Sequence, residues 1–191
     1  RIKAHSMSFD PAILNVYQRL GQRVPEWTQG PGGNISLKSE EELWIKASGW
    51  RLDQVHQAEH LVRLDLPRWQ SGLQRLLSDA NTTNEDYAQF VNKGSEGSVL
   101  RPSMETGFHC LLKGRYVLHF HSLVAILMSA LWRERPDEIQ SFLRQYWRSI
   151  SHRFIPYETP GWSLTRALQA DGNTQVLLLE QHGLILNTDS L

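Results

Sequence analysis

Hydrophobic residues along this chain recur at helical spacing in some stretches and at strand spacing in others. Apolar positions every three or four residues over 10–21, 69–77 and 136–150 predict amphipathic helices. The stretch 123–132 is apolar on nearly every side, which predicts a buried helix. A further helix is expected to begin at Pro102, because proline is common in the first turn of helices.

Shorter apolar runs bounded by turn residues predict β-strands between these helices. The predicted strands are 35–38, 43–47, 61–66, 116–121 and 175–179. The first two flank a charged turn and are expected to form a hairpin. The polar stretch 78–98 is expected to be loop around any short helix. Strands interspersed with helices indicate an α/β domain.

The composition indicates one domain that binds a small ligand. A length of 191 residues suits a single core, which we place at residues 10–191. Residues 1–9 lack periodicity and are expected to be disordered or foreign to the natural protein, and the abrupt end predicts a missing C-terminal tail. The formal net charge of zero favours neither a nucleic-acid nor a membrane-surface partner.

Cysteine content and hydropathy indicate a cytoplasmic protein. The single cysteine, Cys110, cannot form an internal disulfide, and its apolar surroundings are typical of a buried reduced thiol. The chain lacks both an apolar run of about 20 residues and an N-terminal secretory signal. We therefore expect a reducing compartment and no membrane span.

Two histidines in the predicted strand 116–121 have the spacing of metal ligands. Side chains alternate along a strand, so His119 and His121 point the same way, about 6.5–7 Å apart along the backbone. Leu118 and Phe120 then face the opposite side and anchor the strand by burial. The pair suits one metal ion, although two ordinary strand histidines would show the same spacing.

A catalytic zinc site commonly has three protein ligands and one open position, so a third ligand is needed. His182 is the leading candidate, because it ends a buried strand and precedes Gly183, where the backbone can turn tightly. His109 is the second choice. Glu105 lies at the start of a predicted helix, where a carboxylate is favourable with the helix dipole even without a catalytic role.

Five short motifs occur in an order that resembles the class II aldolase/adducin family. They are Gly33-Asn34-Ile35-Ser36, Ser48-Gly49, Arg101-Pro102-Ser103-Met104-Glu105, His119-Phe120-His121-Ser122 and Gln181-His182-Gly183-Leu184. Each motif alone is weak, whereas the ordered set is specific and extends over about residues 10–189. The resemblance implies a three-layer α/β/α sandwich around a mainly antiparallel central sheet.

The resemblance also implies a role for individual residues. In sugar-phosphate aldolases of the family, the histidines matching His119, His121 and His182 bind zinc, and the glutamate matching Glu105 moves the proton. The family's phosphate pocket corresponds here to Asn34, Ser48, Gly49 and Ser103. Met104 stands where many of these aldolases have a second serine. The resemblance therefore leaves open whether the substrate is phosphorylated.

The activity implied is that of a metal-dependent lyase that cleaves a ketose or ketose phosphate by retro-aldol chemistry in carbohydrate metabolism. The cofactor would be Zn²⁺ or another divalent metal. A sugar-phosphate dehydratase or epimerase on the same scaffold is an alternative, and so is a non-catalytic adducin-like interaction domain without metal. Family members commonly form cyclic tetramers, so a homo-oligomer is expected.

Overall fold

A computed structural model describes residues 9–94 and 99–191. Within these ranges seven strands form one sheet. They are β1 (Asn34–Lys38), β2 (Glu42–Lys46), β3 (Leu61–Asp65), β4 (Tyr116–Phe120), β5 (His152–Ile155), β6 (Val176–Leu179) and β7 (Gly183–Thr188). The predicted hairpin and the predicted strands at 61–66, 116–121 and 175–179 are confirmed. Apart from Phe9, the segment expected to be disordered lies outside the described residues.

The sheet has the order β3-β2-β1-β4-β7-β6-β5. Neighbouring strands are antiparallel except for β5 and β6, which run parallel. The expected mainly antiparallel sheet is therefore corrected to a mixed one. The physical reason is the long connection between β5 and β6, which includes a helix and lets the chain return to the same end of the sheet. The three-layer arrangement stays a prediction.

Seven α-helices lie within the described ranges. They are α1 (Ala12–Gly21), α2 (Leu66–Ser78), α3 (Asn84–Lys93), α4 (Thr106–Leu111), α5 (Leu123–Glu134), α6 (Pro136–Tyr146) and α7 (Trp162–Ala167). The helices predicted from periodicity at 10–21 and 69–77 are confirmed, and the one predicted at 136–150 is confirmed as far as Tyr146. Helix α4 begins four residues after Pro102, because Met104 and Glu105 form a turn before it. None of these helices is long and apolar enough to cross a membrane.

The first two strands contribute to different hydrophobic clusters. Ile35 and Leu37 of β1 pack with α1, whereas Leu43 and Ile45 of β2 pack with α2 and α3. Helix α5 differs from the prediction of a buried helix. Its positions 123, 124, 127 and 131 are exposed apolar side chains, and only Ala125 and Ser129 are buried.

The antiparallel register brings three chain segments together at one end of the inner strands β1, β4 and β7. Asn34 at the start of β1 pairs with His119 near the end of β4, and Phe120 pairs with Leu184 at the start of β7. The start of β1, the end of β4 and the turn between β6 and β7 are therefore neighbours. The candidate site lies at this end of the sheet.

Candidate metal centre

The histidine pair lies at the end of β4, where the strand fixes its direction. Leu118 and Phe120 pack into the cluster formed with α1, as the alternation predicted. His119 is fully buried, and His121 follows directly after the strand. The two imidazole centroids are 5.1 Å apart. The pair therefore points to the same side of the sheet.

The turn between β6 and β7 brings His182 to the pair. Gln181 has a positive φ of 55° and Gly183 has a φ of 137°, so the chain reverses sharply around the histidine. A Cβ at Gly183 would collide with the carbonyl oxygen of Phe120. Glycine is therefore needed both for the backbone conformation and for the close approach of this turn to β4.

The three imidazoles form a nearly equilateral group. The centroid of His182 lies 4.8 Å from that of His119 and 5.0 Å from that of His121. One ring nitrogen from each residue lies within 4.8 Å of the others. Among the described residues, the Nε2 atoms of His119 and His121 are buried without a hydrogen-bond partner. Three nitrogen atoms thus converge on one point.

Burial determines the charge of this group. It lowers the pKa of all three imidazoles from 6.5 to about 4, so they are neutral at pH 7. The Nδ1 atom of His119 lies 3.1 Å from the carbonyl oxygen of Leu184, which can only accept a hydrogen bond. Nδ1 of His119 therefore carries the proton, and Nε2 keeps a lone pair for a metal ion.

Glu105 lies against the same group. Its Oε1 atom is 3.6 Å from Nε2 of His119 and 3.4 Å from Nε2 of His182, and it has no hydrogen-bond partner among the described residues. Because the imidazoles are neutral at pH 7, these contacts are not ion pairs. The other carboxylate oxygen, Oε2, accepts a hydrogen bond of 2.6 Å from Nδ2 of Asn34.

The pKa of Glu105 is raised, and burial is the largest cause. The residue is only 7% exposed, so its charged form loses most of its hydration. The hydrogen bond from Asn34 and the positive charge of Lys46 act in the opposite direction. The net result is a carboxyl group that holds a proton more readily than an exposed glutamate does.

A cavity of about 260 Å³ opens beside these groups. Seven of the eight residues predicted from the sequence line it: Asn34, Ser48, Gly49, Ser103, Glu105, His121 and His182. The eighth, His119, lies buried behind it. Met104 also lines the cavity and is 48% exposed, so an apolar side chain does occupy the place of the second serine.

A family model described as "Class II Aldolase and Adducin N-terminal domain" matches residues 12–191. The chain belongs to this class II aldolase and adducin family. The match covers nearly the whole chain, including the helix α1 and all seven strands. It confirms the family inferred from the five motifs, while the domain boundary at residue 10 stays a prediction.

Similar proteins share this class II aldolase fold at low identity. The N-terminal class II aldolase domain of a conserved protein from Thermoplasma acidophilum is 20% identical, with a TM-score of 0.74 over 100% of this chain and 90% of that one. The L-fuculose-1-phosphate aldolase from Thermus thermophilus is 15% identical, with a TM-score of 0.57 over 93% of this chain and 80% of that one.

One curated relative is much longer than this class II aldolase domain. The uncharacterized oxidoreductase YuxG of Bacillus subtilis (strain 168) is 25% identical over 173 residues. The matched region covers 81% of this chain and 23% of that protein. The chain therefore spans about a quarter of the length of the curated relative it matches.

The donor set of this family member fits a divalent metal. Zinc in proteins is bound by imidazole nitrogens and carboxylate oxygens, and catalytic zinc keeps one open position beside three protein ligands. His119, His121 and His182 offer three neutral imidazoles, of which two have buried ring nitrogens without a partner. His109, the second choice as a ligand, does not belong to this group. Its Nδ1 atom lies 2.8 Å from Oγ of Ser36 instead.

Two residues of the site were missed in the sequence. Lys46 is 2% exposed, and its ammonium group donates to the carbonyl oxygens of Pro31 at 3.1 Å and Trp50 at 2.5 Å. Gly32 touches the His121 ring so closely that it has no room for a side chain. The only sign of Lys46 in the sequence was a lysine inside the apolar run 43–47. Gly32 could not be singled out, because it lies in a turn with several glycines.

Proposed function

We propose that this chain is a metal-dependent lyase that cleaves a ketose or ketose phosphate by retro-aldol chemistry. His119, His121 and His182 hold the metal, which we take to be zinc or another divalent ion. Glu105 is the acid and base. Membership of the class II aldolase and adducin family supports an enzyme of this kind.

One observation carries the proposal. The Oε1 atom of Glu105 is buried, has no hydrogen-bond partner among the described residues, and lies within 3.6 Å of two imidazole nitrogens. A buried carboxylate oxygen without a partner is costly, so such groups concentrate at functional sites. A purely structural carboxylate would be expected to have both oxygens bonded. An interaction domain without metal has no evident need for this arrangement.

The residues divide the chemistry between them. The amide of Asn34 holds Oε2 of Glu105 and leaves Oε1 to accept or deliver a proton. Burial raises the pKa of Glu105, which brings proton transfer closer to neutral pH. A bound divalent metal supplies a Lewis acid that polarises the oxygens of a sugar substrate. The neutral imidazoles, with pKa values of about 4, keep their lone pairs for that metal at pH 7.

The cavity beside Glu105 suits a small polar substrate. Asn34, Ser48, Gly49 and Ser103 offer amide, hydroxyl and backbone donors, which can bind an anion without arginine. Lys46 adds a positive charge, because its pKa of about 8 leaves it mostly protonated at pH 7. Both a sugar phosphate and an unphosphorylated sugar therefore belong in the substrate screen, since Met104 makes part of the cavity apolar.

Metal content tests the proposal first. We expect elemental analysis to find about one divalent ion per chain in the wild type. His121→Ala and the double variant His119→Ala/His121→Ala should lose most of it while remaining folded. Glu105→Gln should keep the metal and lose turnover on whichever ketose or ketose phosphate is cleaved. A wild type without metal after supplementation at neutral pH would instead favour a protein-interaction domain.

The expected homo-oligomer, a tetramer, stays a prediction, and so does the cytoplasmic location. Both follow from the resemblance or from composition. Size-exclusion chromatography with light scattering measures the first directly. A monomer with full metal content and turnover would show that the site is complete within one chain.

A further inference from the structure

The helix that follows Glu105 is too short to fix its own position. Helix α4 has six residues, and Glu105 lies at its N-terminal boundary without a side-chain capping bond. Isolated helices of this length are unstable in water, so contacts with the rest of the protein must determine where such a helix lies. The placement of Glu105 therefore depends on what holds α4.

Strand β1 holds α4 through three consecutive polar contacts. The amide of Asn34 donates to Oε2 of Glu105 at 2.6 Å, and the hydroxyl of Ser36 lies 2.8 Å from Nδ1 of His109. The ammonium group of Lys38 donates to the carbonyl oxygens of His109 (2.9 Å) and Leu112. We call this set the polar ladder. All three strand residues are at most 6% exposed, and His109 is fully buried. Polar groups buried to this extent normally need partners, and the ladder provides them.

The spacing of strand and helix explains why the ladder fits. Two residues along a strand advance about 6.5–7 Å, and four residues along a helix advance about 6 Å. Asn34 and Ser36 are two residues apart on one strand face, while Glu105, the N-cap residue of α4, precedes His109 by four residues. Turning α4 or sliding it along β1 would break more than one contact together.

His109 carries a buried ring nitrogen that is unpaired among the described residues, and packing alone does not explain this cost in stability. Its Nε2 atom is buried and has no hydrogen-bond partner among the described residues. It also lies outside the group of three histidines that could hold a metal. A leucine would fill a similar volume without an unpaired nitrogen, so the useful part of His109 is its contact with Ser36.

We propose that Ser36 and His109 are positioning residues, which hold α4 so that Oε1 of Glu105 faces His119 and His182. This inference rests on the proposed function of Glu105, but its test requires no turnover. The middle contact of the polar ladder transmits the position of β1 to the helix. Losing it should release Glu105 from Asn34 while the three histidines, which belong to other segments, stay in place.

Crystal structures of the metal-free protein test this directly. Ser36→Ala and His109→Leu each remove the middle contact, whereas His109→Asn keeps a polar atom where Nδ1 was. We expect the distance from Asn34 Nδ2 to Glu105 Oε2 to exceed 3.5 Å in the first two variants and to stay near 2.6 Å in His109→Asn. An unchanged distance in both Ser36→Ala and His109→Leu would overturn the proposal. Ser36→Ala keeps the test valid if His109→Leu does not fold.

Cobalt provides a second readout in solution. Co²⁺ added alone should bind to all variants with the same stoichiometry, because His119, His121 and His182 are intact in each of them. The visible spectrum of Ser36→Ala should depart from that of the wild type towards that of Glu105→Gln. Ser39→Ala, which removes a hydroxyl from the same hairpin without touching α4, should keep the wild-type spectrum. If the wild type binds no cobalt, the proposed metal site fails, and the crystal structures still decide the placement of Glu105.

Discussion

Replacing Gly32 with alanine should weaken metal binding without unfolding the protein. A Cβ at this position would lie 2.6 Å from Nδ1 and 2.7 Å from Cε1 of the His121 ring. The backbone of Gly32 is outside the left-handed region, so the added methyl group causes no strain in φ. The Cβ would also lie 3.0 Å from the carbonyl oxygen of Gln29, but its two tightest contacts are with the ring of one proposed ligand.

The magnitude follows from the distances. An ordinary contact between heavy atoms is about 3.5 Å, so the His121 ring must retreat by about 1 Å. Metal–ligand distances tolerate changes of only about 0.2 Å. Changes next to metal ligands typically reduce affinity about 10–100-fold. We expect at least about a tenfold loss for Gly32→Ala, which corresponds to about 1.4 kcal/mol.

Competition with a chromophoric zinc chelator measures the effect. Gly30→Ala is the matched control, because it lies in the same turn and a Cβ there would meet no atom within 4 Å. With a φ of 55°, Gly30→Ala should cost some stability but little zinc affinity. The reasoning is refuted if Gly32→Ala binds zinc as tightly as the wild type while His121→Ala does not.

Three further predictions concern the surroundings of the site. Gln181 has a φ of 55°, which strains a residue with a side chain, so Gln181→Gly should stabilise the metal-free protein by about 0.5–1 kcal/mol. A lower free energy of unfolding in urea would contradict this backbone strain. Ser129→Ala removes the oxygen that accepts the Gln181 N–H at 3.0 Å and should weaken zinc binding about tenfold. Unchanged zinc affinity in chelator competition would show that the turn is held without Ser129. Burial lowers the pKa of Lys38 from 10.5 to about 8, so the unfolded chain binds more protons between those values and stability rises with pH there. Between pH 8 and 10 the free energy of unfolding should therefore rise roughly 2 kcal/mol more in the wild type than in Lys38→Met, and equal slopes would contradict the shift.

Local periodicity predicted the parts of the fold that local physics determines. The alternation in 116–121 fixed which side His119 and His121 share, because side-chain direction in a strand has a period of two residues. Strands β5 and β7 were not predicted. Strand β5 is four residues long and, among the described residues, pairs with β6 alone, while β7 pairs with both β4 and β6. Such pairing joins distant segments and leaves little trace in local sequence.

Exposure was less predictable than periodicity. The run 123–132 is apolar on nearly all sides, which in isolation is typical of a buried helix. Helix α5 nevertheless leaves Val124 and Leu127 more than 60% exposed. Hydrophobic pattern shows which helix faces avoid water but not whether this chain covers them. For the same reason, the burial of Lys46 could not be predicted, because the turns that accept its hydrogen bonds meet only in the folded protein.

Burial links the two halves of the proposed chemistry. It lowers the pKa of His119, His121 and His182 to about 4, which keeps their nitrogens free for a metal, and it raises the pKa of Glu105, which helps that group hold a proton. Both shifts arise because a poorly hydrated site disfavours charge, whatever its sign. Water admitted to the cavity would reverse both shifts together. The substitutions that matter most at this site are therefore those that alter its packing, as well as those that remove a ligand.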